Sequence, residues 1–118
     1  MLDLDKWITD ALSTLEDEEL TAMSREPMRK AQADEMWIVW REVSLRKVFA
    51  SGEPVLIQHN LRLTLSYTEE QDHQTLTRMI QETLRGRRGC LYARYGGDQW
   101  NQEIKRRECV LYLGVLES

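Results

Sequence analysis

The sequence has little of what most catalytic and metal chemistry requires. Its two histidines, His59 and His73, stand fourteen residues apart, outside any HxH, HxxxH or HExxH grouping, so no metal-ligand spacing is present. His59 reads instead as a hydrogen-bonded sheet residue and His73 as partly exposed near a helix start. The two cysteines, Cys90 and Cys109, have no CxxC partner and lie in apolar stretches. That leaves small buried hydrophobes as the expectation and a disulfide between neighbouring strands as the alternative. Lys105, Arg106 and Arg107 precede Cys109 and are of the kind that lower a thiol pKa, but a partly buried spectator accounts for the same residues. No serine sits in a nucleophile elbow, and neither Gly96-Gly97 nor the segment from Gly86 to Gly89 has the length, lysine and following helix of a phosphate-binding loop. Clustered carboxylates, Asp3, Asp5 and Asp10 or Glu69, Glu70 and Asp72, fall at helix starts, where they satisfy amides and the helix dipole. The expectation is a protein that is not an enzyme and holds no cofactor or metal. Long apolar runs are missing too: no stretch approaches the 18 or so residues that span a bilayer, and Met1-Leu2-Asp3-Leu4-Asp5 has no basic region leading into an apolar one. The chain therefore reads as made in the cytosol, without a membrane partner.

What is present describes one domain. The chain has 118 residues, 42% apolar and 31% charged, with a formal charge of −4. That is enough for one core and is not the profile of a disordered tail, so residues 1–118 are read as a single domain. The acidic balance makes nucleic acid an unpromising default partner. The charge is uneven: residues 1–35 hold ten acids and four bases, the remainder ten acids and twelve bases. Opposite signs on opposite surfaces would suit an interface between unlike patches.

Leu4, Trp7, Ile8, Ala11, Leu12 and Leu15 recur at helical spacing, which predicts an amphipathic helix over the first fifteen residues. The run Glu16-Asp17-Glu18-Glu19 opposes the dipole and ends it, or breaks it before a short second turn around Leu20 and Met23. Pro27 stops any continuation, and residues 24–35 read as a loop. Met36-Trp37-Ile38-Val39-Trp40 opens a strand through Val43. Ser51-Gly52-Glu53-Pro54 is a turn, and from Val55 to Tyr67 strict alternation predicts a strand with Val55, Ile57, His59, Leu61, Leu63, Leu65 and Tyr67 facing the core. Thr68-Glu69-Glu70-Gln71 is a capping box, opening a helix with Leu76, Met79, Ile80 and Leu84 on one face and Gly86 at its end. Cys90–Tyr95 reads as a strand, Gly96-Gly97-Asp98 as a turn, and Ile104–Leu116 as a last strand. The predicted fold is α+β: a two-layer sandwich of two helices on a mostly antiparallel four-stranded sheet, in the order helix-strand-strand-helix-strand-strand.

Two features ask for a partner. Trp37 and Trp40 face opposite sides of one strand, so the strand needs cover on both faces, from the helices and another subunit or from a loop. Tryptophan and arginine are the residues enriched at interface centres, which makes Trp37, Trp40, Arg87, Arg88 and Arg106 the candidate subunit-interface residues. The basic groups Arg85, Arg87, Arg88 and Lys105, Arg106, Arg107, with Tyr92, Tyr95 and Trp100 between them in sequence, form a nucleic-acid surface only if both lie at one end of the sheet. Otherwise they are solvated strand ends or pair with the acidic leading part of a neighbouring subunit.

The leading helix LDKWITDALSTL, the strand MWIVWREV, the strand VLIQHNLRLTLSY, the helix TEEQDHQTLTRMIQETL and the closing strand ECVLYLGVL together resemble the tail-completion or tail-terminator proteins of tailed bacteriophages and prophages. The resemblance spans nearly the whole chain. It carries no catalytic or ligand-binding motif, and residues 24–35 and 96–102 match nothing in it. It implies an α+β domain assembling into a ring, commonly of six, that closes the end of a tail tube and meets the head connector. The partners would be other copies of the chain, the tube protein and the connector protein, and the location the virion tail, reached from the host cytoplasm. A nucleic-acid-binding module using Arg87, Arg88 and Lys105 to Arg107 is the alternative.

Overall fold

The computed structural model describes residues 2–13, 20–24, 36–67 and 73–117. Helix α1 (Leu4–Leu12) opens with Asp3 as its cap, the side-chain oxygen accepting from the Lys6 amide at 3.1 Å, and buries Ile8, Ala11 and Leu12. Strand β1 (Leu20–Ser24) follows, then the long hairpin of β2 (Met36–Ala50) and β3 (Glu53–Tyr67). Helix α2 (His73–Arg85) buries Leu76, Ile80 and Leu84 and leads into the hairpin of β4 (Cys90–Asn101) and β5 (Arg106–Glu117).

The sheet order is β1-β2-β3-β5-β4, and every pair but β1–β2 is antiparallel. The four long strands and two helices thus form the expected α+β arrangement. Both helices pack on one sheet face, where Ile38, Trp40, Leu61, Leu63, Leu65, Leu111, Leu113 and Val115 join their buried stripes in one core.

The expected element bounds are corrected at three places. Leu20–Ser24 is a fifth, edge strand lying parallel to β2, not a helical turn: pairing to the free edge of β2 outweighs weak local preference. β2 continues seven residues past Val43, because a bulge between Glu42 and Ser44 shifts the register and disguises the alternation. Gly96-Gly97-Asp98 is no turn either. A bulge between Tyr95 and Gly97 lets β4 run on to Asn101, and residues 102–105 make the turn instead, with the Asn101 side-chain oxygen accepting from the Glu103 and Ile104 amides. The capping box at Thr68, the acidic run Glu16 to Glu19, Pro27 and the predicted loop beyond Ser24 lie outside the described residues.

Candidate functional site: a projecting hairpin arm

β3 is held between two strands from Ile57 to Tyr67, where it pairs with β5, but its first residues pair with β2 alone. Arg41 to Lys47 of β2 still lie beside the part of β3 that β5 holds, so only residues 48–56 leave the sheet body as a two-stranded tip, the end of the arm. The three residues of β2 beyond Lys47 reach about 10 Å, and the longest molecular axis, 53 Å against 28 and 23 Å across, follows the two 15-residue strands β2 and β3. The tip closes in a two-residue turn joining Ala50 to Glu53, with Ser51 and Gly52 both in the left-handed region at φ 55° and 82°. That backbone matches strand twist, and glycine adopts it at no steric cost.

An isolated two-stranded hairpin is marginal in water. The tip also holds Val48, Phe49 and Val55 out in solvent, with Val43 and Leu45 exposed on β2 beside it, and Phe49, the only phenylalanine of the chain, is 59% exposed. The register puts Leu45 and Val55 on the helix side and Val48 on the opposite side, so the arm is apolar on both surfaces. Exposed apolar side chains gathered at one end of a soluble protein mark an interaction site.

The root of the arm is polar and tightly tied. His59 is buried, with Nδ1 3.2 Å from Glu42 Oε1 and Nε2 2.9 Å from Glu117 Oε2. Both ring nitrogens thus face carboxylate oxygens, and the ring ties β2 to the end of β5. Glu117 also accepts from the Leu2 amide at 2.7 Å. The His59 bond first, and the Leu2 amide after it, hold its carboxyl below the usual glutamate range. On the helix side Trp40 donates through Nε1 to Asp5 Oδ1 at 2.8 Å. Beside these bonds lies a cleft of about 640 Å³ lined by Leu2, Leu4, Trp40, Leu45, Ile57 and Leu61 among others.

The candidate interface residues separate into two sets. Trp37 and Trp40 do face opposite ways, but both are buried within the chain, 5% and 4% exposed. Trp40 is covered by α1 and the core. Trp37, on the face away from the helices, is covered by Arg106, whose guanidinium lies 4.0 Å over the ring and whose Nε donates to Ser66 Oγ at 2.7 Å. Cover from another subunit is not needed there, and Arg106 is itself buried. Arg87 and Arg88 are exposed on the loop after α2, where the Arg88 carbonyl accepts from Trp7 Nε1. That loop meets the far end of β5, since the Gly89 carbonyl accepts from the Leu116 amide, whereas Arg106 and Arg107 begin the strand. The two basic groups lie about 30 Å apart along β5 and do not form one surface.

Cys109 is a spectator of the core. It is 1% exposed, and burial pushes its thiol up to about 11 despite the Thr77 hydroxyl 3.6 Å away. Asp98, 4.0 Å from His73 Nε2, hydrogen-bonds Tyr95 and helps push that phenol up to about 12. Among the described residues no three His, Cys, Asp or Glu side chains come together to hold a metal ion, and no helix is long and apolar enough to cross a membrane.

Sequence reasoning missed the arm. The signal for it was present in VSLRKVFASGEPVL, where apolar residues flank a two-residue turn on both sides, but the bulges at 42–44 and 48–49 break the alternation that would have extended the strand. No protein-family model and no curated protein sequence matches this chain.

Proposed function

We propose that the chain is a structural assembly subunit of the tail-completion type, which joins copies of itself into a ring, caps a tail tube and offers a face to the head connector. The observation that supports this reading is the arm. A two-stranded tip about 10 Å long that exposes Val48, Phe49 and Val55 on both its surfaces is unfavourable in a monomer and becomes favourable when a second copy covers it. An arm from one subunit laid on a different patch of the next is a heterologous contact, which generates a ring where the rotation from subunit to subunit closes. The acidic leading part of the chain and the exposed Arg87 and Arg88 would set partner choice and register in that contact more than its strength. The test is electron microscopy of growing tail tubes with and without the purified chain. Tubes of fixed length carrying end-bound rings are expected; tubes that grow on unaltered and bare at their ends would overturn the proposal.

A further inference from the structure

The sheet face away from the helices carries a row of side chains across four strands. Arg41 on β2 stands opposite Arg62 on β3, Arg62 opposite Tyr112 on β5, and Tyr112 opposite Arg94 on β4. At ordinary strand spacing the row is about 14 Å long. Like charges directly opposite one another destabilise a sheet, so Arg41 facing Arg62 asks for an anion. Among the described residues none is supplied: no carboxylate lies within ion-pair distance of the three guanidinium groups, and Arg62 Nε is buried without a hydrogen-bond partner. Glu108, on the same face, is taken up by Gln99 and Asn101. Arg62 reaches Gln99 through its terminal nitrogen at a long 3.4 Å.

The aromatic members of this face are placed with equal specificity. A Cβ on Gly96 would lie 2.4 Å from the Tyr112 ring, and one on Gly114 would lie 2.3 Å from the Tyr92 ring. The two glycines therefore let both rings lie across bare backbone. Tyr92 is pinned there by its hydroxyl, which donates to Asn60 Oδ1 at 2.7 Å, and its ring is capped by Arg94 at 4.4 Å. Tyr112 has no such cap and is 42% exposed.

We infer that this open face binds single-stranded nucleic acid, with phosphates on Arg41, Arg62 and Arg94 and a base stacked on Tyr112. Guanidinium groups alternating with an exposed ring are the elements of a stacking platform. An acidic peptide would satisfy the arginines but has no use for a ring laid on the sheet, and a duplex keeps its bases stacked inside. The inference goes beyond the ring reading and does not rest on it: it concerns the four-strand body of the sheet and not the hairpin tip, and a tip variant that fails to assemble can be tested in the same way.

The experiment is fluorescence anisotropy of a labelled oligothymidine of about 20 nucleotides titrated with the full chain. Three neutralised phosphates predict an affinity loss of about twentyfold between about 50 and 200 mM salt. Arg94→Gln should reduce that loss to about sevenfold by removing one contact. Tyr112→Ala should weaken binding by at least about fivefold in a protein that circular dichroism shows to be still folded. Arg87→Gln with Arg88→Gln, on the remote loop, should leave the affinity as it is. Absence of binding at low salt would overturn the inference, as would equal affinity for duplex with Tyr112→Ala indistinguishable from wild type. So would Arg41→Glu with Arg94→Glu that alters sedimentation while leaving oligothymidine binding intact, which would assign the row to an acidic segment of a second copy.

Discussion

Leu63 sits on the helix-facing side of β3, with Trp40 and Leu111 as its cross-strand partners, and is 1% exposed. Truncation there removes buried surface and leaves a cavity that two helices and three strands cannot collapse. Leu63→Ala should cost about 2–4 kcal/mol in urea melts, and a cost below about 1 kcal/mol would take this position out of the core. Cys109 gives a second residue-scale prediction. With its thiol pushed up by burial it stays protonated at neutral pH, so the native protein should leave it unmodified by a thiol reagent that labels it fully in denaturant. Rapid labelling in the native state would contradict that placement. Glu117 ties acid sensitivity to the arm root. Its folded-state pKa lies below the unfolded one, so its contribution is fully present above the ordinary glutamate range and is lost as pH falls through the lowered value. Thermal melts below about pH 4.5 should show wild type losing stability more steeply than Glu117→Gln. Parallel curves for the two proteins would remove Glu117 from the account.

Among the elements, the β4–β5 pair depends on glycine where a tyrosine ring crosses the backbone. Gly114→Ala sets a methyl into the Tyr92 ring and should destabilise the domain by about 1–3 kcal/mol, with part of the loss recovered when Tyr92 is also replaced by Ala. Equal and additive losses would show that the ring moves freely. The elements also show which parts of the fold were legible in the sequence. Both helices, the β3 alternation and the Ser51-Gly52 turn could be read directly, because each has a local cause: an apolar stripe, a period of two, a backbone that glycine favours. The two-sided placement of Trp37 and Trp40 was legible as well, but not what covers Trp37, since Arg106 is brought to it from the other end of the sequence by pairing that no local pattern encodes. The extension of β2 and the continuity of β4 through Gly96 were hidden for one reason: each strand contains a bulge, and a bulge inverts the alternation on which a strand is recognised. The parallel strand β1 was hidden because five residues of mixed propensity become a strand only when an edge is offered. The arm, which carries the proposed function, lies within the stretch that the bulges obscured.

At the scale of the whole molecule, a two-layer body keeps its core on one sheet face; the hairpin arm is proposed to meet a second copy and the arginine–tyrosine row to meet an anion with bases. The central claim is that the arm holds subunits together. Burying Phe49 alone contributes about 2–3 kcal/mol, and a carboxylate in its place also has to be desolvated, so charge at the tip should weaken association about a hundredfold or more. Because the tip touches nothing in the core, the same change leaves the body folded. The direct measurement is sedimentation velocity across a concentration series for the wild type and for Val48→Glu with Phe49→Glu, alongside thermal melts. The account predicts a concentration-dependent assembly for the wild type and a folded monomer for the variant; a wild type that stays monomeric at every concentration, or a variant that assembles as the wild type does, would contradict it.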